Sequence, residues 1–434
     1  MERLSPGQPE PPRDGSASTA SRGRPSPARA EPGSEEELAR LLQEAYQQGR
    51  AVLPQGGASQ WQLGEPPAAA DLLLSLRGLR GVTEYAPEEL VVRVAAGTRL
   101  DELQAFLRPH GQWFPVEPVA VPGGTVGGLL ATGASGARRL AFGTPRDAVT
   151  GLRFVLPDGR RMHNGARVVK NVAGYDVMRL LVGSLGTLAV ISEAWLRVRP
   201  LPERRETLLV LASGTPPATR ELEDLARRLL ASELLPTALE LLDPSASSTL
   251  GLSPRPCLAV ELQGGEREVA YQRDRLATLA GEGGAAPARL SLDRLEEGSS
   301  DDFWWRFHHR LPEAALVARA GVALADLPAV LEEADRRELE AARVAGPGHG
   351  VLRLFATPAE EEAALDRWAG FLRHLREVVE ARGGALVLEK APERLRGRLS
   401  AWGAPPPSVE LMRAIKARFD PRGLLNPGRF VGGI

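Results

Sequence analysis

Cysteine is nearly absent from this chain of 434 residues, since Cys257 is the only one. A single thiol cannot form an internal disulfide. It also excludes an iron–sulfur cluster held only by cysteines of this chain, because such clusters need about four thiolates. The surrounding sequence, Cys-Leu-Ala-Val-Glu-Leu, is typical of a buried strand, which favours a packed thiol over a nucleophile.

An excess of charge of one sign is missing as well. The net charge of −1 gives no reason to expect a nucleic acid or an anionic membrane as a partner. The uncharged run 118–137 is too rich in Gly and Pro for a transmembrane helix. No Rossmann or P-loop glycine motif occurs. These absences disfavour a nicotinamide dehydrogenase and a P-loop NTPase.

The first 33 residues also lack an apolar segment of the signal-peptide type. They are rich in Pro, Ser, Arg and Gly and include acidic residues. This composition predicts a disordered N-terminal tail over 1–33 in a cytoplasmic protein, one that reaches the inner membrane only through partners. Ser34 then opens a helix with a capping-box pattern.

Glycine is abundant in the segment 118–137, where six of twenty residues are Gly and none is charged. Consecutive glycines allow positive φ and leave backbone N–H groups exposed, an arrangement suited to a phosphate or pyrophosphate. A glycine-rich loop taken alone is more often a plain turn.

A second glycine turn follows the apolar stretch Ala51-Val-Leu53, which is typical of a short strand. It reads Pro54-Gln-Gly-Gly-Ala-Ser-Gln60. The amides at Gly56 and Gly57 and the hydroxyl of Ser59 suit phosphate oxygens. A hairpin turn is the alternative interpretation.

Four sequence blocks occur in order: Gly-Gly-Thr-Val-Gly-Gly (123–128), Gly-Tyr-Asp (174–176), Gly-Ser-Leu-Gly-Thr-Leu (183–188) and Val-Ile-Ser-Glu-Ala (190–194). Together they resemble the PCMH-type FAD-binding domain of the vanillyl-alcohol oxidase family. Within that family they are most similar to the FAD-binding E subunit of bacterial glycolate oxidase. The resemblance covers about 34–202 and returns at 419–430.

The resemblance implies FAD as cofactor. It is expected to be bound non-covalently, because the first glycine turn has no His that could tether the flavin. One departure concerns Leu185, where catalytic relatives carry Glu, so the electrostatics there are in question. The implied FAD contacts are Pro54, Gln55, Gly56, Gly57, Ala58, Ser59, Gln60, Val119, Pro122, Gly123, Gly124, Thr125, Gly128, Thr132, Ala134, Ser135, Gly136, Arg138, Gly186, Thr187, Val190, Ile191 and Asn426.

The pattern from residue 204 onward predicts β-α-β-β-α over 208–279 and a second set of alternating strands and helices over 315–388, in which 327–343 is expected to be a helix. Two ferredoxin-like halves on one sheet would explain this order. The expected fold class is α+β, a PCMH-type two-subdomain FAD-binding fold with a ferredoxin-like α/β cap domain. The expected domains are a tail (1–33), the FAD-binding domain (34–203), the cap or substrate domain (204–395) and a C-terminal segment returning to the FAD domain (396–434).

Catalysis in this class needs a base for the hydroxyl proton and a cation for the carboxylate. Catalytic D-type relatives carry Gly-His-x-Gly-x-Gly-Asn-Leu-His, whose two His help to bind a metal. This chain has Ala345-Gly-Pro-Gly-His-Gly-Val-Leu-Arg353, so both ligand positions are lost and no metal is expected. His349 and Arg353 are the candidate catalytic residues, although a His in a turn is more often structural.

The segment 302–310 supplies further candidates. Phe303 and Phe307 are expected in the core, whereas Arg306, His308, His309 and Arg310 form a solvated face, a subunit contact or part of a site.

The leading functional hypothesis is the FAD-binding subunit of a glycolate oxidase or dehydrogenase complex. Its expected partners are a catalytic D-type flavoprotein, an iron–sulfur F-type subunit and a small 2-hydroxy-acid substrate. The alternatives are a stand-alone FAD-dependent D-lactate or 2-hydroxy-acid dehydrogenase and a non-catalytic scaffold with structural FAD.

Overall fold

The computed structural model describes residues 26–166, 176–212, 218–282, 290–295, 297–336 and 339–434. The predicted tail up to residue 25 and the Gly174-Tyr175 part of one sequence block lie outside these ranges. The prediction that the disordered tail extends to residue 33 is wrong, because Ala28–Ala30 form a strand, β1. The Ala28 N–H donates to Asp71 O at 3.0 Å. The sequence Ala-Arg-Ala carries no strand signal of its own, and pairing with a neighbour decides its conformation.

The first FAD subdomain packs helix α1 (Glu35–Gln48) on a small parallel sheet. The sheet orders β1, β3 (Leu72–Ser75) and β2 (Val52–Gln55). Ser34 Oγ accepts a hydrogen bond from Glu37 N–H, as the capping-box pattern predicts. The apolar face of α1 is buried, and β2 runs directly into the first glycine turn.

The second FAD subdomain is built on an antiparallel sheet ordered β4-β5-β9-β7-β8 within the described residues. Helix α3 leads away from the second glycine-rich segment. The strands are β4 (Val82–Ala86), β5 (Val91–Ala95), β6 (Gln112–Trp113), β7 (Val149–Val155), β8 (Arg161–Gly165), β9 (Val190–Arg197) and β10 (Arg199–Pro200). The helices are α2 (Leu100–Leu107), α3 (Val126–Thr132), α4 (Arg139–Phe142), α5 (Pro145–Ala148) and α6 (Met178–Leu181).

The cap follows from residue 204. Its strands are β11 (Arg204–Ala212), β12 (Ala238–Leu242), β13 (Cys257–Gly264), β14 (Leu290–Leu295), β15 (Leu316–Gly321), β16 (Ala342–Gly346), β17 (Val351–Ala356) and β18 (Ala385–Lys390). Its helices are α7 (Ala218–Leu230), α8 (Pro244–Thr249), α9 (Glu266–Gly281), α10 (Glu297–His309), α11 (Leu327–Asp335) and α12 (Glu362–Glu380).

The cap strands form one sheet ordered β14-β11-β13-β12-β16-β17-β15-β18 in the part of the chain that the structure describes. Each half has the ferredoxin-like order, and the halves join where β12 pairs with β16. The predicted pair of ferredoxin-like halves on one sheet is confirmed. One helix prediction is wrong, because α11 ends at Asp335 and the residues up to 343, predicted as helix, include the start of β16.

The two faces of the cap sheet differ. Leu239, Leu352 and Leu388 point to the face covered by α7, α9, α11 and α12. The opposite face is covered by α8 and α10 and by the FAD domain, from which Val119 and Ala137 pack into the same apolar cluster. This second face is therefore the seam between the domains.

The C-terminal segment contains α13 (Glu393–Arg396) and α14 (Val409–Phe419) and returns to the FAD domain. Leu425 forms a bridge with Val52 of β2. The Lys416 ammonium donates to the carbonyl oxygens of Thr187 at 2.7 Å and Leu425 at 3.0 Å, and it pairs with buried Asp420. These bonds hold the last residues beside the first glycine turn.

A buried ion pair joins the FAD domain to the cap. Arg138 Nε and Nη2 donate to the two carboxylate oxygens of Glu261 on β13, at 3.0 and 2.9 Å, and Nη1 donates to Glu117 at 2.9 Å. Burial alone would raise the pKa of Glu261, but the charge of Arg138 holds that pKa below its ordinary value. The pair is dry and bidentate, which makes the loss of one partner costly.

We expect Arg138→Met to lower the free energy of unfolding by about 3–5 kcal/mol, because Glu261 then stays buried and unpaired. Arg227→Met, which breaks the exposed pair with Asp224, should cost under about 1 kcal/mol. Urea unfolding of both variants measures the difference. The double variant Arg138→Met, Glu261→Met should recover most of the loss, and equal midpoints for the two single variants would contradict this role.

Candidate functional site

The two glycine turns touch each other through their backbones. A methyl group at Gly57 would overlap the carbonyl oxygen of Gly123, and one at Gly56 would overlap the hydroxyl of Thr125. Backbones approach this closely only where side chains are missing. The structure thus brings together two segments about seventy residues apart in sequence.

Hydroxyl groups complete the contact between these turns. Thr125 caps α3, where its Oγ1 accepts from Gly128 N–H at 3.2 Å. Thr132, at the other end of α3, has its Oγ1 2.9 Å from Gln60 Oε1 of the first turn. Gly124 lies beside the Ser59 hydroxyl. Pro122 is exposed at the mouth of the second loop.

A third segment, Leu185–Thr187, closes the arrangement with the C-terminus. The Asn426 amide Nδ2 donates to Leu185 O at 2.6 Å, and its backbone N–H donates to Val52 O at 3.0 Å. Gly186 faces both Asn426 and Pro54. We call Pro54–Gln60, Gly123–Gly128, Leu185–Thr187 and Asn426 the cradle.

Backbone strain is concentrated in the cradle. Among the described residues that are not Gly, φ is positive at Ala58, Leu185, Asn426 and Leu90. Three of these four belong to the cradle. Such conformations cost of order 1–3 kcal/mol each and cluster at ligand-binding sites.

The cradle fits FAD on three observations. It is uncharged, its glycine positions hold backbone amides where side chains would intrude, and the buried Asn426 Oδ1 has no hydrogen-bond partner among the described residues. A buried amide oxygen without a donor is costly unless a ligand supplies one. Diphosphate oxygens suit the amides, and a ribityl or ring donor suits the Asn426 oxygen.

Several implied FAD contacts lie outside the cradle. Val190 and Ile191 sit in β9 with their side chains buried in two different apolar clusters. Val119 packs in the seam. In the loop before α4, Ala134 is half-buried, Ser135 O accepts a hydrogen bond from Arg353, and Gly136 packs against the His308 ring.

Arg138 has a role in joining the two domains. All three of its guanidinium nitrogens donate to carboxylates, two to Glu261 of the cap and one to Glu117. The guanidinium group also lies over the ring of Trp113, with its central carbon 5.5 Å from the ring centre. Through these hydrogen bonds the side chain joins the two domains.

Leu185, the departure from the family pattern, has an apolar setting. It packs with Leu63 and with Val387 of the cap, and Trp402 and Phe430 cover this cluster. Leucine therefore replaces a charged group by a dry contact between cradle and cap, which answers the electrostatic question raised by the sequence.

The cap face at the seam carries single charges in otherwise apolar strands: Glu240, Glu261, Arg319, Arg353 and Glu389. Only Arg353 was a candidate from the sequence. The signal for the others was one charge at a position that alternates with core residues. Which face each occupies depends on the sheet order.

His349 lies in the turn between β16 and β17, and its Nε2 is 2.9 Å from Glu240 Oε1. In the neutral form of the ring, a carboxylate acceptor places the proton on Nε2 and leaves the lone pair on Nδ1. Nδ1 is buried without a partner among the described residues. Gly346 leaves the room that the imidazole ring occupies.

Arg353 is 5% exposed and bridges the domains. Its Nη2 donates to Ser135 O at 2.9 Å, and its Nε lies 3.8 Å from Glu389 Oε2. Burial, followed by the nearby Arg319 and Arg139 charges, lowers the pKa of Arg353 against the pull of Glu389. A carboxylate arriving here would stabilise these cations.

The segment 302–310 also faces the seam. Phe303 and Phe307 are buried, as predicted. His308 is buried too, its Nδ1 lies 2.8 Å from Trp304 O, and burial lowers its pKa to about 4. His309 contacts Glu117 and Ala120 O. Arg306 pairs with Asp302 on the same helix and donates to Leu250 O at 2.7 Å.

No helix in the described ranges is long and apolar enough to cross a membrane, and no group of three or more potential metal ligands occurs there.

Burial raises the pKa of the Cys257 thiol to about 12. Cavities of about 400 and 600 Å³ border the β6–β10 ribbon and the β11–β14 edge.

Two family models match the chain: "FAD binding domain" over residues 26–165 and "FAD linked oxidases, C-terminal domain" over 210–430. Solved structures of alkyldihydroxyacetonephosphate synthase share the fold, with a TM-score of 0.66 at 19% identity, covering 93% of this chain and 77% of the other. The cradle thus falls mostly in one match, and the cap in the other.

Three similar proteins align with different shares of this chain. Glycolate oxidase subunit GlcD of Bacillus subtilis (strain 168) is 26% identical over 92% of this chain and 87% of its own. D-lactate dehydrogenase of Archaeoglobus fulgidus is 30% identical over 92% and 90%. Glycolate oxidase subunit GlcE of Escherichia coli (strain K12) is 38% identical over 38% and 47%.

The cradle, the paired ferredoxin-like cap and these matches agree with one another. The chain belongs to the FAD-linked oxidases and is an FAD-dependent oxidoreductase.

Proposed function

We propose that this flavoprotein oxidises a small 2-hydroxy acid, glycolate being the first to test, as the FAD-binding subunit of a glycolate oxidase-type complex. The observation that carries the proposal is the seam, where an imidazole fixed by Glu240 and a group of arginines lie on the cap face beside the FAD-binding loops. A hydroxy acid needs this pair of functions, a proton acceptor and a carboxylate partner.

The cofactor contacts are part of the proposal. Backbone amides of Gly56 to Ser59 would hold the diphosphate, and the segments at Gly123–Thr125 and Gly186–Thr187 would line the remaining parts of the cofactor. Asn426 Oδ1 would accept a hydrogen bond from it. The proposed domain limits are those expected from the sequence, with the FAD domain extended to include β1.

The seam residues have distinct tasks. FAD, when bound, accepts the hydride from the carbon that carries the hydroxyl group. His349 Nδ1 would take the hydroxyl proton, because Nε2 is committed to Glu240. Arg353 would contribute positive charge near the carboxylate while it holds the loop at Ser135. The apolar cluster around Leu185 would limit access of water from that side.

The E-type role draws support from two features. The similarity to GlcE is confined to 38% of the chain but has the highest identity of the three relatives described above. The metal-ligand positions of the D-type motif are occupied by Gly346 and Arg353. The proposed partners are a second flavoprotein of the D type and an iron–sulfur F-type subunit. The single Cys of this chain supports the second partner, because one thiol cannot hold a cluster that passes electrons onward.

A stand-alone dehydrogenase of D-lactate or a related acid is the second candidate. The complete cap and the match to a D-lactate dehydrogenase over 92% of the chain favour it. Co-purification with D-type and F-type proteins separates the two. A chain that is recovered alone and turns over a hydroxy acid with an artificial electron acceptor would favour the second candidate over the first.

We expect Gly57→Ala to lose bound FAD, because the added methyl group forces the two turns apart. The ratio of flavin absorbance to protein absorbance should fall at least about tenfold. Gly370→Ala, at a helical position with open space around it, is the matched control. Retention of flavin by Gly57→Ala would argue against the cradle as the FAD site.

Glycolate or D-lactate should bleach the flavin of the wild-type protein under anaerobic conditions. His349→Gln should slow that bleaching by about 10²- to 10⁴-fold, because a general base is lost. His374→Gln, on the outer helix α12, should leave the rate unchanged. Stopped-flow absorbance follows the reaction. Equal rates for both variants would remove His349 from the chemistry, and a wild-type flavin that no hydroxy acid bleaches would favour the scaffold alternative.

A further inference from the structure

Two arginines stand directly opposite each other on the seam face of the cap. Arg319 of β15 is the register partner of Arg353 of β17. Like charges at such a position destabilise a sheet unless an anion offsets them. The carboxylate of Glu389 on β18 is the anion near both arginines. Its Oε1 lies 2.6 Å from Arg319 Nε, and its Oε2 lies 3.8 Å from Arg353 Nε.

A third arginine comes from the FAD domain. Arg139 opens α4, a helix that packs against β12, the strand of Glu240. The next residue, Leu140, packs over Gly348 in the turn that carries His349. The side chain of Arg139 is half-buried and has no hydrogen bond or ion pair with any described residue.

The electrostatic environment of Arg139 agrees with this position. Burial first, and then the charge of Arg319, lower the pKa of Arg139, while Glu240 and Asp147 raise it. Arg139 also counts among the charges that lower the pKa of Arg353. An unpaired cation in this position gains from an incoming anion.

Charge balance indicates how many anions the seam accepts. At the seam, Arg139, Arg319 and Arg353 give three positive charges against two negative charges from Glu240 and Glu389. Asp147, which also acts on Arg139, is exposed to solvent. The surplus is one positive charge. One carboxylate neutralises it, whereas a second would reverse the imbalance.

Arg353 is less suited to be the direct partner of that carboxylate. One terminal nitrogen already donates to Ser135 O, and the side chain is almost fully buried. Arg319 is bound to Glu389 at 2.6 Å. Among the three, Arg139 keeps its whole guanidinium fork available, and such a fork binds a carboxylate through two parallel hydrogen bonds.

We propose that Arg139, on the FAD domain, is the specificity-determining residue that binds the carboxylate of a monocarboxylic 2-hydroxy acid, across the seam from His349. This assignment rests on the proposed function. It divides recognition between the two domains: the FAD domain supplies the carboxylate partner, and the cap supplies the proton acceptor. Arg319 and Arg353 then act as positioning residues that set the positive field.

Anaerobic calorimetry with glycolate tests the assignment on protein whose bound FAD has been reduced beforehand, so that glycolate binds without reacting. Arg139→Gln should weaken glycolate binding about 10- to 100-fold, the loss expected for a charge-assisted bidentate contact. Arg139→Lys, which keeps the charge, should lie between this variant and the wild type. Arg227→Gln, an exposed position on α7, should bind as the wild type does.

A neutral probe adds a readout that a structural role would not change. The wild type should prefer glycolate over glycolamide at least about tenfold, and Arg139→Gln should lose this preference while glycolamide binding stays the same. The preference of the wild type for glycolate is measured without any variant, so this part of the test does not depend on whether a variant folds. Glycolate binding by Arg139→Gln equal to that of the wild type, or a wild type that does not distinguish the two probes, would overturn the assignment. Glycolate that binds through Arg139 without bleaching the flavin would leave this assignment standing and remove the proposed reaction.

Discussion

The close approach of two peptide backbones, at Gly57 and Gly123, is the constraint on which the rest of the structure depends. It requires glycine on one side and a carbonyl group on the other, so no side chain can take part. The remaining cradle follows from it: Thr125 caps the helix that leaves the contact, and Thr132 returns to Gln60 of the first turn. The C-terminal segment then fixes the third side through Asn426.

Strained backbone conformations near this contact are held in place by hydrogen bonding and apolar packing. Ala58, Leu185 and Asn426 hold left-handed conformations that their side chains do not favour. The hydrogen bond from Asn426 and the apolar cluster at Leu185 stabilise two of these positions. Because Val387 in that cluster belongs to the cap, side-chain packing at Leu185 links the cradle to the cap. The buried Arg138–Glu261 pair makes a second connection on the far side of the loop at Ser135.

Much of the fold could be predicted from the sequence, because glycine blocks, capping residues and apolar alternation act over short distances. The ferredoxin-like repeats are an example. The strand β16 was missed because Ala342–Gly346 has little strand character and forms through pairing with β12 and β17. The role of Arg138 depends on Glu261, which lies 123 positions away. Glu240, Arg319 and Glu389 are visible in the sequence as isolated charges, but only the sheet order places them on one face.

The central claim is that bare amides of two distant turns hold the diphosphate of FAD while the cap face meets the reacting end. A crystal structure of the FAD-loaded protein tests it most directly. The account predicts diphosphate oxygens within about 3.2 Å of backbone nitrogens in the turn at Gly56–Ser59, with the flavin ring extending toward the seam of His349 and Arg139. A diphosphate bound away from both glycine turns, or a ring pointing away from the cap, would contradict the account.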